Sequence, residues 1–368
     1  MRNKIITSVF CLLLAVGVIS GFLVPDKYYS ESEKRTLTQK NAISISDFPG
    51  GKMGTKIEKY LADQFPLRDG WITIKTLTER FSGKTQISGV YFGKGGYLID
   101  AFTGYSQKQF YANIEALAKL SDSLKTAGIP TQVMLVPTSA QILSDKLPAY
   151  APGLDQKAFL EYAKAQGLDA VNVFDILSAH KSEYIYYKTD HHFTSLGAYY
   201  CYVAWMQSQG KTAEPLSAWH SKELCDNFRG TTYNKVNYPF AATDVITAYY
   251  KTLTHTVSYN GGNYVTDSIY EFKYLKGKDQ YATFLNSNQS TTVVSGNGEG
   301  KLLILKDSYA NCFSQFVIDD YAETHLIDLR FFKDSVTDYI EENGITQVLV
   351  LYNIPNFAQD TAIAKTVR

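Results

Sequence analysis

The stretch Lys301-Leu-Leu-Ile-Leu-Lys-Asp-Ser-Tyr309 has the pattern of a buried β-strand that runs directly into Asp-Ser and then into a helix. In parallel α/β sheets the carboxyl ends of the strands form the crevice in which ligands bind. Ser308 is therefore expected where substrates bind, and backbone N–H groups at a helix start can hold a developing oxyanion. The alternative is that Asp307 or Ser308 only caps the helix, as such residues often do.

Strands and helices alternate along most of the chain from residue 106 onward. This alternation predicts an α/β fold with a parallel sheet flanked by helices on both faces. A segment rich in Tyr, Thr, Asn and Gly, residues 212–300, interrupts the alternation and predicts a β-rich insertion. The predicted strands of the sheet are Thr131–Val136, Ala170–Phe174, Lys301–Leu305, His325–Leu329 and Gln347–Tyr352.

The residues before 106 have a different pattern. Pro66 marks a turn into a helix whose apolar residues recur at helical spacing, and we expect these residues in the core. They are Trp71, Ile74, Leu77 and Phe81. Two aromatic-rich halves around a Gly-Lys-Gly-Gly turn then predict a β-hairpin between residues 90 and 99.

The N-terminus begins Met-Arg-Asn-Lys and continues from Ile5 to Val24 without a charged residue. Positive residues before an apolar run of this length predict a single-pass membrane anchor, with the rest of the chain on the extracellular face of the cell membrane. Cleavage of a signal peptide, which would release the chain, is the alternative. The predicted organisation is an anchor (1–25), a stalk with helices and a hairpin (26–105), two halves of an α/β domain (106–211 and 301–368) and the insertion (212–300).

The overall charge argues against one class of partner. The 36 Lys and Arg residues balance the 36 Asp and Glu residues. A chain without net charge has no long-range positive field to attract nucleic acid, so we expect no nucleic-acid partner.

A serine hydroxyl is a weak nucleophile and needs a base within hydrogen-bond reach, oriented by a third group. The spacing Asp190-x-His192 offers such a pair, and it follows another predicted strand, at Tyr184–Tyr187. Alternatively, Asp190 caps the following helix and one histidine of the pair is structural. A metal site of Asp190, His191 and His192 is disfavoured, because adjacent histidines tend to point apart and no distant ligand cluster accompanies them. We expect neither metal nor cofactor.

The segment from Tyr187 to Tyr199, which reads Tyr-Lys-Thr-Asp-His-His-Phe-Thr-Ser-Leu-Gly-Ala-Tyr, resembles the signature of the DHHW proteins. These exported proteins are similar to the alginate O-acetyltransferase family, whose fold is SGNH-hydrolase-like. Further segments occur in the family's order: Asp63–Asp69, Gly93–Leu98, Asp307-Ser308, Ile327–Arg330 and Val350–Asn353. One residue departs from the signature, because Phe193 stands where the family has a tryptophan, and any indole N–H hydrogen bond is lost.

The resemblance assigns roles to individual residues. It implies a catalytic triad of Ser308 as nucleophile, His192 as base and Asp190 as the residue that orients the base. It also implies that several further residues line or shape the site by binding substrate or stabilising the oxyanion: Arg330, Tyr352, Tyr309, Asn353 and His191. The triad order is reversed relative to ordinary SGNH hydrolases, which is acceptable because triads are defined by geometry.

The resemblance further implies an activity and partners. We expect an O-acetyltransferase that acts on an exported cell-surface polysaccharide through an acyl-serine intermediate. The expected acetyl donor is a membrane-bound O-acyltransferase. A carbohydrate esterase and a non-catalytic polysaccharide-binding assembly protein are the alternatives, because the same three residues serve transfer and hydrolysis equally well.

Overall fold

The computed structural model describes residues 4–8, 10–12, 15, 24–30, 35–44, 48, 52–252 and 254–367. Much of the predicted anchor, residues 5–24, lies outside this described part. None of the helices in the described part is both long enough and apolar enough to cross a membrane. The chain forms two compact units, one of residues 1–88 with 233–240 and a larger one of residues 89–232 with 241–368.

The strands, in chain order, are β1 (Tyr29–Ser30), β2 (Arg35–Thr36), β3 (Gln86–Ile87), β4 (Val90–Phe92), β5 (Leu98–Asp100), β6 (Thr131–Val136), β7 (His220–Phe228), β8 (Asp244–Tyr250), β9 (Val257–Tyr259), β10 (Tyr264–Thr266), β11 (Thr291–Ser295), β12 (Lys301–Lys306), β13 (Glu323–Ile327) and β14 (Gln347–Asn353). The α-helices are α1 (Lys52–Gln64), α2 (Arg68–Phe81), α3 (Gln107–Thr126), α4 (Ser139–Ile142), α5 (Lys157–Ala165), α6 (Phe174–Ala179), α7 (Ser195–Ser208), α8 (Thr231–Val236), α9 (Tyr309–Phe313), α10 (Val336–Asn343), α11 (Ile354–Gln359) and α12 (Ile363–Thr366).

The main sheet of the larger unit has the strand order β10-β9-β11-β13-β12-β14-β6. Strands β13, β12, β14 and β6 are parallel, as the alternation of strands and helices predicts. Strands β9, β10 and β11 pair antiparallel and come from the segment 212–300. The expected parallel sheet is therefore present, the segment 212–300 adds antiparallel strands to it, and the fold is mixed α/β.

The four parallel strands form the centre of the core. Nearly every side chain of β6, β12 and β14 is buried, as expected of strands covered on both faces. Helix α3 packs against α11 and α12, and α7 packs against α9. The predicted hairpin is confirmed, since β4 pairs antiparallel with β5.

The strand predicted at Ala170–Phe174 does not form. Ala170 makes a single parallel bridge with Val133 of β6. Two residues later, Oδ1 of Asn172 accepts a hydrogen bond of 3.1 Å from the N–H of Phe174, where α6 begins. This local bond turns the chain away from the sheet edge after one residue.

The smaller unit contains α1 and α2. The hydroxyl of Thr76 donates to the carbonyl of Val236 at 2.6 Å, so this side of α2 is held against the chain around residue 236. The apolar residues that the helical spacing placed in the core lie elsewhere on the helix. Trp71, Ile74 and Phe81 are 44%, 54% and 85% exposed. The core prediction is therefore wrong for these three residues, Leu77 is half-buried, and Thr76 rather than the apolar stripe makes the fully buried contact.

Candidate active site

Ser308 is the second residue after β12, at the carboxyl edge of the parallel strands. Its neighbour Asp307 is fully buried and ties this turn to the rest of the edge. Oδ1 of Asp307 accepts from the N–H of Tyr309 at 2.9 Å, and Oδ2 accepts from the N–H of Asn353 at 3.0 Å and from the amide of Asn356 at 2.9 Å. Burial raises the pKa of Asp307, and these donors oppose the rise. Asp307 therefore fixes the position of Ser308 between β12 and β14.

The chain around Asp190 is a loop, not the end of a strand as predicted. Tyr186 and Phe193 form a single antiparallel bridge that closes the loop. Thr194, and not Asp190, caps the helix that follows, since the hydroxyl of Thr194 accepts from the N–H of Gly197 at the start of α7.

A buried carboxylate from β8 holds this loop in place. Asp244 accepts hydrogen bonds from the N–H groups of Lys188 and Thr189 at 2.8 and 2.7 Å, and from the hydroxyl of Thr189 at 2.6 Å. The hydroxyl of Tyr184 donates to it as well. Burial raises the pKa of Asp244, and the same donors oppose the rise. Asp244 thus positions the two residues that precede Asp190.

The structure brings the three predicted triad residues into hydrogen-bond contact. Nε2 of His192 lies 2.7 Å from Oγ of Ser308, and Nδ1 of His192 lies 2.5 Å from Oδ1 of Asp190. Oδ1 also accepts from the N–H of His192 at 3.0 Å. Asp190 and His192 are buried, and Ser308 is partly exposed. With Nδ1 protonated and donating to Asp190, Nε2 can accept the proton of the serine hydroxyl, which is the arrangement that activates a nucleophile.

The second oxygen of Asp190 is held by Thr231, a residue that the sequence did not single out. Its N–H and its hydroxyl donate to Oδ2 at 2.7 and 2.9 Å. The preceding residue, Gly230, leaves no room for a side chain, because a Cβ there would lie 2.1 Å from Oδ2 of Asp190. Close packing of the Asp190 side chain against the backbone of Gly230 explains why glycine is needed at this position.

His191, which lies in the same loop, contacts both Thr231 and His192. Its Nδ1 lies 2.5 Å from the hydroxyl of Thr231, and its ring centroid lies 3.9 Å from that of His192. The hydroxyl of Tyr309 donates to the backbone carbonyl of His191. The Tyr309 ring meets the buried ring of Phe193 edge to face at 4.7 Å. Phe193 therefore acts as a packing residue behind the triad.

The two other predicted residues at this edge, Arg330 and Tyr352, form no hydrogen bond with the triad in the described part of the chain. Arg330 makes a bidentate contact with buried Asp328, at 2.8 and 2.5 Å. Nζ of buried Lys306 lies 3.9 Å from the same carboxylate, and burial lowers the pKa of Lys306 to about 8. Tyr352 is buried, and its hydroxyl has no hydrogen-bond partner among the described residues.

Two potential oxyanion donors remain at the site. Among the described residues, neither the backbone N–H of Ser308 nor Nδ2 of Asn353 has a hydrogen-bond partner. Asn353 uses its N–H for Asp307 and its Oδ1 for Asn356, so Nδ2 is the group left for another acceptor.

A metal would compete with the contacts that the triad makes. The ligand atoms of Asp190, His191 and His192 lie within 4.8 Å of one another. Both ring nitrogens of His192 already have partners, Asp190 and Ser308. Binding a metal here would break one of these contacts, so the residues fit a triad better than a metal centre.

Three solved structures show a similar fold. A DHHW family protein from Eubacterium siraeum is 23% identical over 76% of this chain and 95% of its own, with a TM-score of 0.64. PatB1 from Bacillus cereus is 20% identical over 74% of this chain and 97% of its own, with a TM-score of 0.62, and it has also been solved with a sulfonyl adduct. The O-acetyltransferase domain of AlgJ from Pseudomonas putida is 14% identical over 76% of this chain and 98% of its own, with a TM-score of 0.50.

At the level of sequence, no curated protein matches this chain. The model of one protein family does match, over residues 82–327. These residues make up well over half of the chain and include Asp190, His192 and Ser308. The chain therefore belongs to the DHHW protein family.

Proposed function

We propose that this protein is an O-acetyltransferase with an SGNH-hydrolase-like catalytic domain that acts on an exported cell-surface polysaccharide. The observation that carries the proposal is the continuous hydrogen-bond path from Ser308 through His192 to Asp190, with distances of 2.7 and 2.5 Å. A path of this kind is the recognised means of activating a serine for acyl transfer.

In the proposed first step, Oγ of Ser308 attacks the carbonyl carbon of an acetyl ester and passes its proton to Nε2 of His192. The tetrahedral intermediate collapses, the acetyl–donor bond breaks, and His192 returns the proton to the leaving group. A sugar hydroxyl then attacks the acetyl-serine, with His192 again taking and returning one proton. The N–H of Ser308 and Nδ2 of Asn353 are the groups available to the oxyanion, and losing one such donor typically costs about 2.7 to 4 kcal/mol.

The choice of transfer rests on the relatives. The AlgJ structure is an O-acetyltransferase domain, and its likeness covers 98% of that domain. Attack by water on the same acetyl-serine would make the protein a carbohydrate esterase, which is the second candidate. A vestigial triad in a polysaccharide-binding protein is the third.

The first experiment separates an enzyme from a binding protein. The purified chain should hydrolyse a chromogenic acetyl ester, and Ser308→Ala and His192→Ala should each reduce the rate by at least about a thousandfold. Ser123→Ala, on an exposed part of α3, is the matched control and should keep the full rate. Equal rates for Ser308→Ala and the control would refute the triad. A sulfonyl fluoride should label the parent protein at Ser308 and leave Ser308→Ala unlabelled.

The second experiment separates transfer from removal. The protein is incubated with a soluble acetyl ester and a bacterial cell-surface polysaccharide, and the glycan is examined by mass spectrometry. A gain of acetyl groups that requires Ser308 supports transfer. Loss of acetyl groups from an acetylated glycan, with no gain under any condition, would make the protein an esterase.

We further infer that the protein works outside the cytoplasm, tethered to the membrane through residues 5–24, beside a membrane-bound O-acyltransferase that supplies acetyl groups. The charge and length of the N-terminal segment support the tether. In intact cells, added protease should digest the chain, and washing with carbonate should leave it in the membrane fraction. Release by carbonate, or protection from protease, would contradict the tether or its orientation.

A further inference from the structure

Tyr281 contacts both the proposed base and the proposed nucleophile. It lies in the 3-10 helix Gln280–Thr283, inside the segment predicted as an insertion. Its ring stacks on the imidazole of His192 with a centroid distance of 3.8 Å and an interplanar angle of 10°. Its hydroxyl donates to the backbone carbonyl of Ser308 at 3.2 Å. One buried side chain therefore touches two residues that lie 116 positions apart in the sequence.

The imidazole of His192 is enclosed on both faces. The ring centroid of His191 lies 3.9 Å from that of His192, and the Tyr281 centroid lies 3.8 Å away. Two rings at such short distances cannot share one face, so His191 and Tyr281 cover opposite faces. Rotation of the imidazole about its Cβ–Cγ bond would drive its edge into one of these rings. The stack therefore helps to keep Nε2 directed at Ser308.

The Tyr281 ring also affects the charge of the base. When His192 takes the serine proton it becomes a cation, and a cation over the face of an aromatic ring is stabilised, more strongly in a desolvated site. Burial raises the pKa of Tyr281 well above its ordinary value, so its hydroxyl stays protonated and can donate to Ser308. The Tyr281 ring is itself fixed by Phe284, at 5.3 Å, and by Tyr187, at 6.3 Å.

We propose that Tyr281 is a positioning residue that orients the imidazole of His192 and stabilises its protonated form. This role rests on the proposed function, in which His192 carries the proton. Other titratable groups that contact the imidazole in the described part of the chain include Asp190 and His191 on its own loop and Tyr309 on α9, whose ring centroid lies 5.0 Å away. Of these groups, Asp190 is the one whose negative charge favours the same protonated form.

The test replaces the ring and the hydroxyl separately. Tyr281→Leu removes the aromatic face and should lower kcat roughly tenfold. It should also move the acidic limb of the kcat/KM profile to lower pH, by roughly 0.5 to 1 pH unit, because the imidazolium loses its stabilisation. Tyr281→Phe keeps the face and should leave the limb in place. A purely structural role would lower the rate without moving the limb.

A matched control exists elsewhere on the protein. Tyr200 stacks on His180 at 3.7 Å and its hydroxyl donates to Glu183 rather than to a triad residue, so Tyr200→Leu removes a similar stack that does not hold the imidazole of His192. This variant should retain the parent rate and the parent pH profile. If Tyr281→Leu fails to fold, Tyr281→Met supplies a non-aromatic side chain of similar volume and serves in its place.

The titration of His192 can also be followed directly by NMR, through its ring carbon signal identified with His192→Ala. This measurement needs no turnover, so it separates this inference from the proposed function. A lower pKa of His192 in folded Tyr281→Leu, with no activity in the parent, would keep the positioning role and reject the acyltransferase. An unchanged titration and an unchanged limb in a folded non-aromatic variant would overturn the inference.

Discussion

Thr231 donates two hydrogen bonds to Oδ2 of Asp190, from its N–H at 2.7 Å and from its hydroxyl at 2.9 Å. Oδ1 of the same carboxylate accepts from the N–H and from Nδ1 of His192. Both oxygens therefore have two donors each, and the carboxylate plane is fixed. Because Asp190 bonds to His192, Thr231 also helps to fix the orientation of His192, the proposed base, through the carboxylate.

Replacing Thr231 by valine should reduce activity with little change in shape. Thr231→Val keeps the N–H bond and loses the hydroxyl bond, and it leaves Nδ1 of His191 without its partner. A hydrogen bond to a charged group is worth about 1.5–3 kcal/mol, so kcat/KM for an acetyl ester should fall by roughly tenfold or more. Thr231→Ser retains the hydroxyl and should stay near the parent rate. Equal rates for the serine and valine variants would show that the hydroxyl bond has no role.

Adding one methyl group at Gly230 should disable the site. In Gly230→Ala the new Cβ would lie 2.1 Å from Oδ2 of Asp190, so the carboxylate or the backbone has to move. Overpacking of this kind typically costs about 1–3 kcal/mol, and the displaced carboxylate should also reduce kcat. Gly153→Ala is the control, since nothing lies within 4 Å of a Cβ there. Activity and the urea midpoint should fall together in Gly230→Ala, and parent-like values for both would contradict the geometry.

The sequence predicts the position of Ser308, the proposed nucleophile, more securely than the residues that surround it. Ser308 follows an apolar strand of buried residues, and a pattern of that kind is local and can be seen in six consecutive residues. Thr231 lies 41 positions from Asp190, in a segment without regular alternation, and only the folded chain brings it to the carboxylate. A lone Gly-Thr pair carries no signal of such a contact.

The errors in the sequence-based prediction have a common cause. The spacing of Trp71, Ile74 and Phe81 predicts correctly that α2 is a helix with one apolar face. Which face is buried depends on the residues that pack against the helix. Here the hydroxyl of Thr76 donates to the carbonyl of Val236, so the face that carries Thr76 is buried. The strand predicted at Ala170–Phe174 ends after its bridge to β6, because the N–H of Phe174 donates to Asn172, and strand propensity does not reveal that competing contact.

Stability should depend on pH through His325. Its Nδ1 lies 2.8 Å from the hydroxyl of Tyr339 and its Nε2 lies 3.0 Å from Oε2 of Glu323, and burial lowers its pKa below 6.5 despite that carboxylate. The unfolded chain then takes up a proton first as the pH falls below 6.5. Protonation of His325 therefore lowers the free energy of unfolding as the pH falls from 6.5 towards the lower folded-state pKa. Above pH 6.5 this group causes no loss of stability.

Urea unfolding at pH 7.5 and at pH 5.5 measures this effect. The parent protein should lose up to about 1 kcal/mol more than His325→Gln between the two pH values. His220→Gln, at an exposed position, is the control and should follow the parent. Glu323 does not titrate between these two pH values, because Lys301 lowers the pKa of Glu323 from its ordinary value of 4.5. Equal losses in the parent and in His325→Gln would show that another group causes the pH dependence.

Asp244 should be essential for the position of the loop that carries Asp190 and His192. Its Oδ2 accepts two hydrogen bonds from Thr189, and its Oδ1 accepts one from the N–H of Lys188. Asp244→Asn replaces one of these oxygens by an NH2 group, which cannot accept from the donors that face it. Leaving buried donors unsatisfied costs about 1–3 kcal/mol for each group, and we expect a loss of roughly 2–4 kcal/mol in the free energy of unfolding.

The activity of Asp244→Asn should fall by more than its loss of stability explains. Thr189 directly precedes Asp190, so a looser loop lets the carboxylate move away from His192 even in molecules that remain folded. The assay is therefore run at low temperature, where urea curves show that the variant is folded. Asp226→Asn, exposed on β7, is the matched control and should change neither quantity. If the folded fraction of Asp244→Asn had the parent kcat, the hydrogen bonds of Asp244 would serve stability alone. The geometry of the loop would then be maintained by Thr231 and by the bridge between Tyr186 and Phe193.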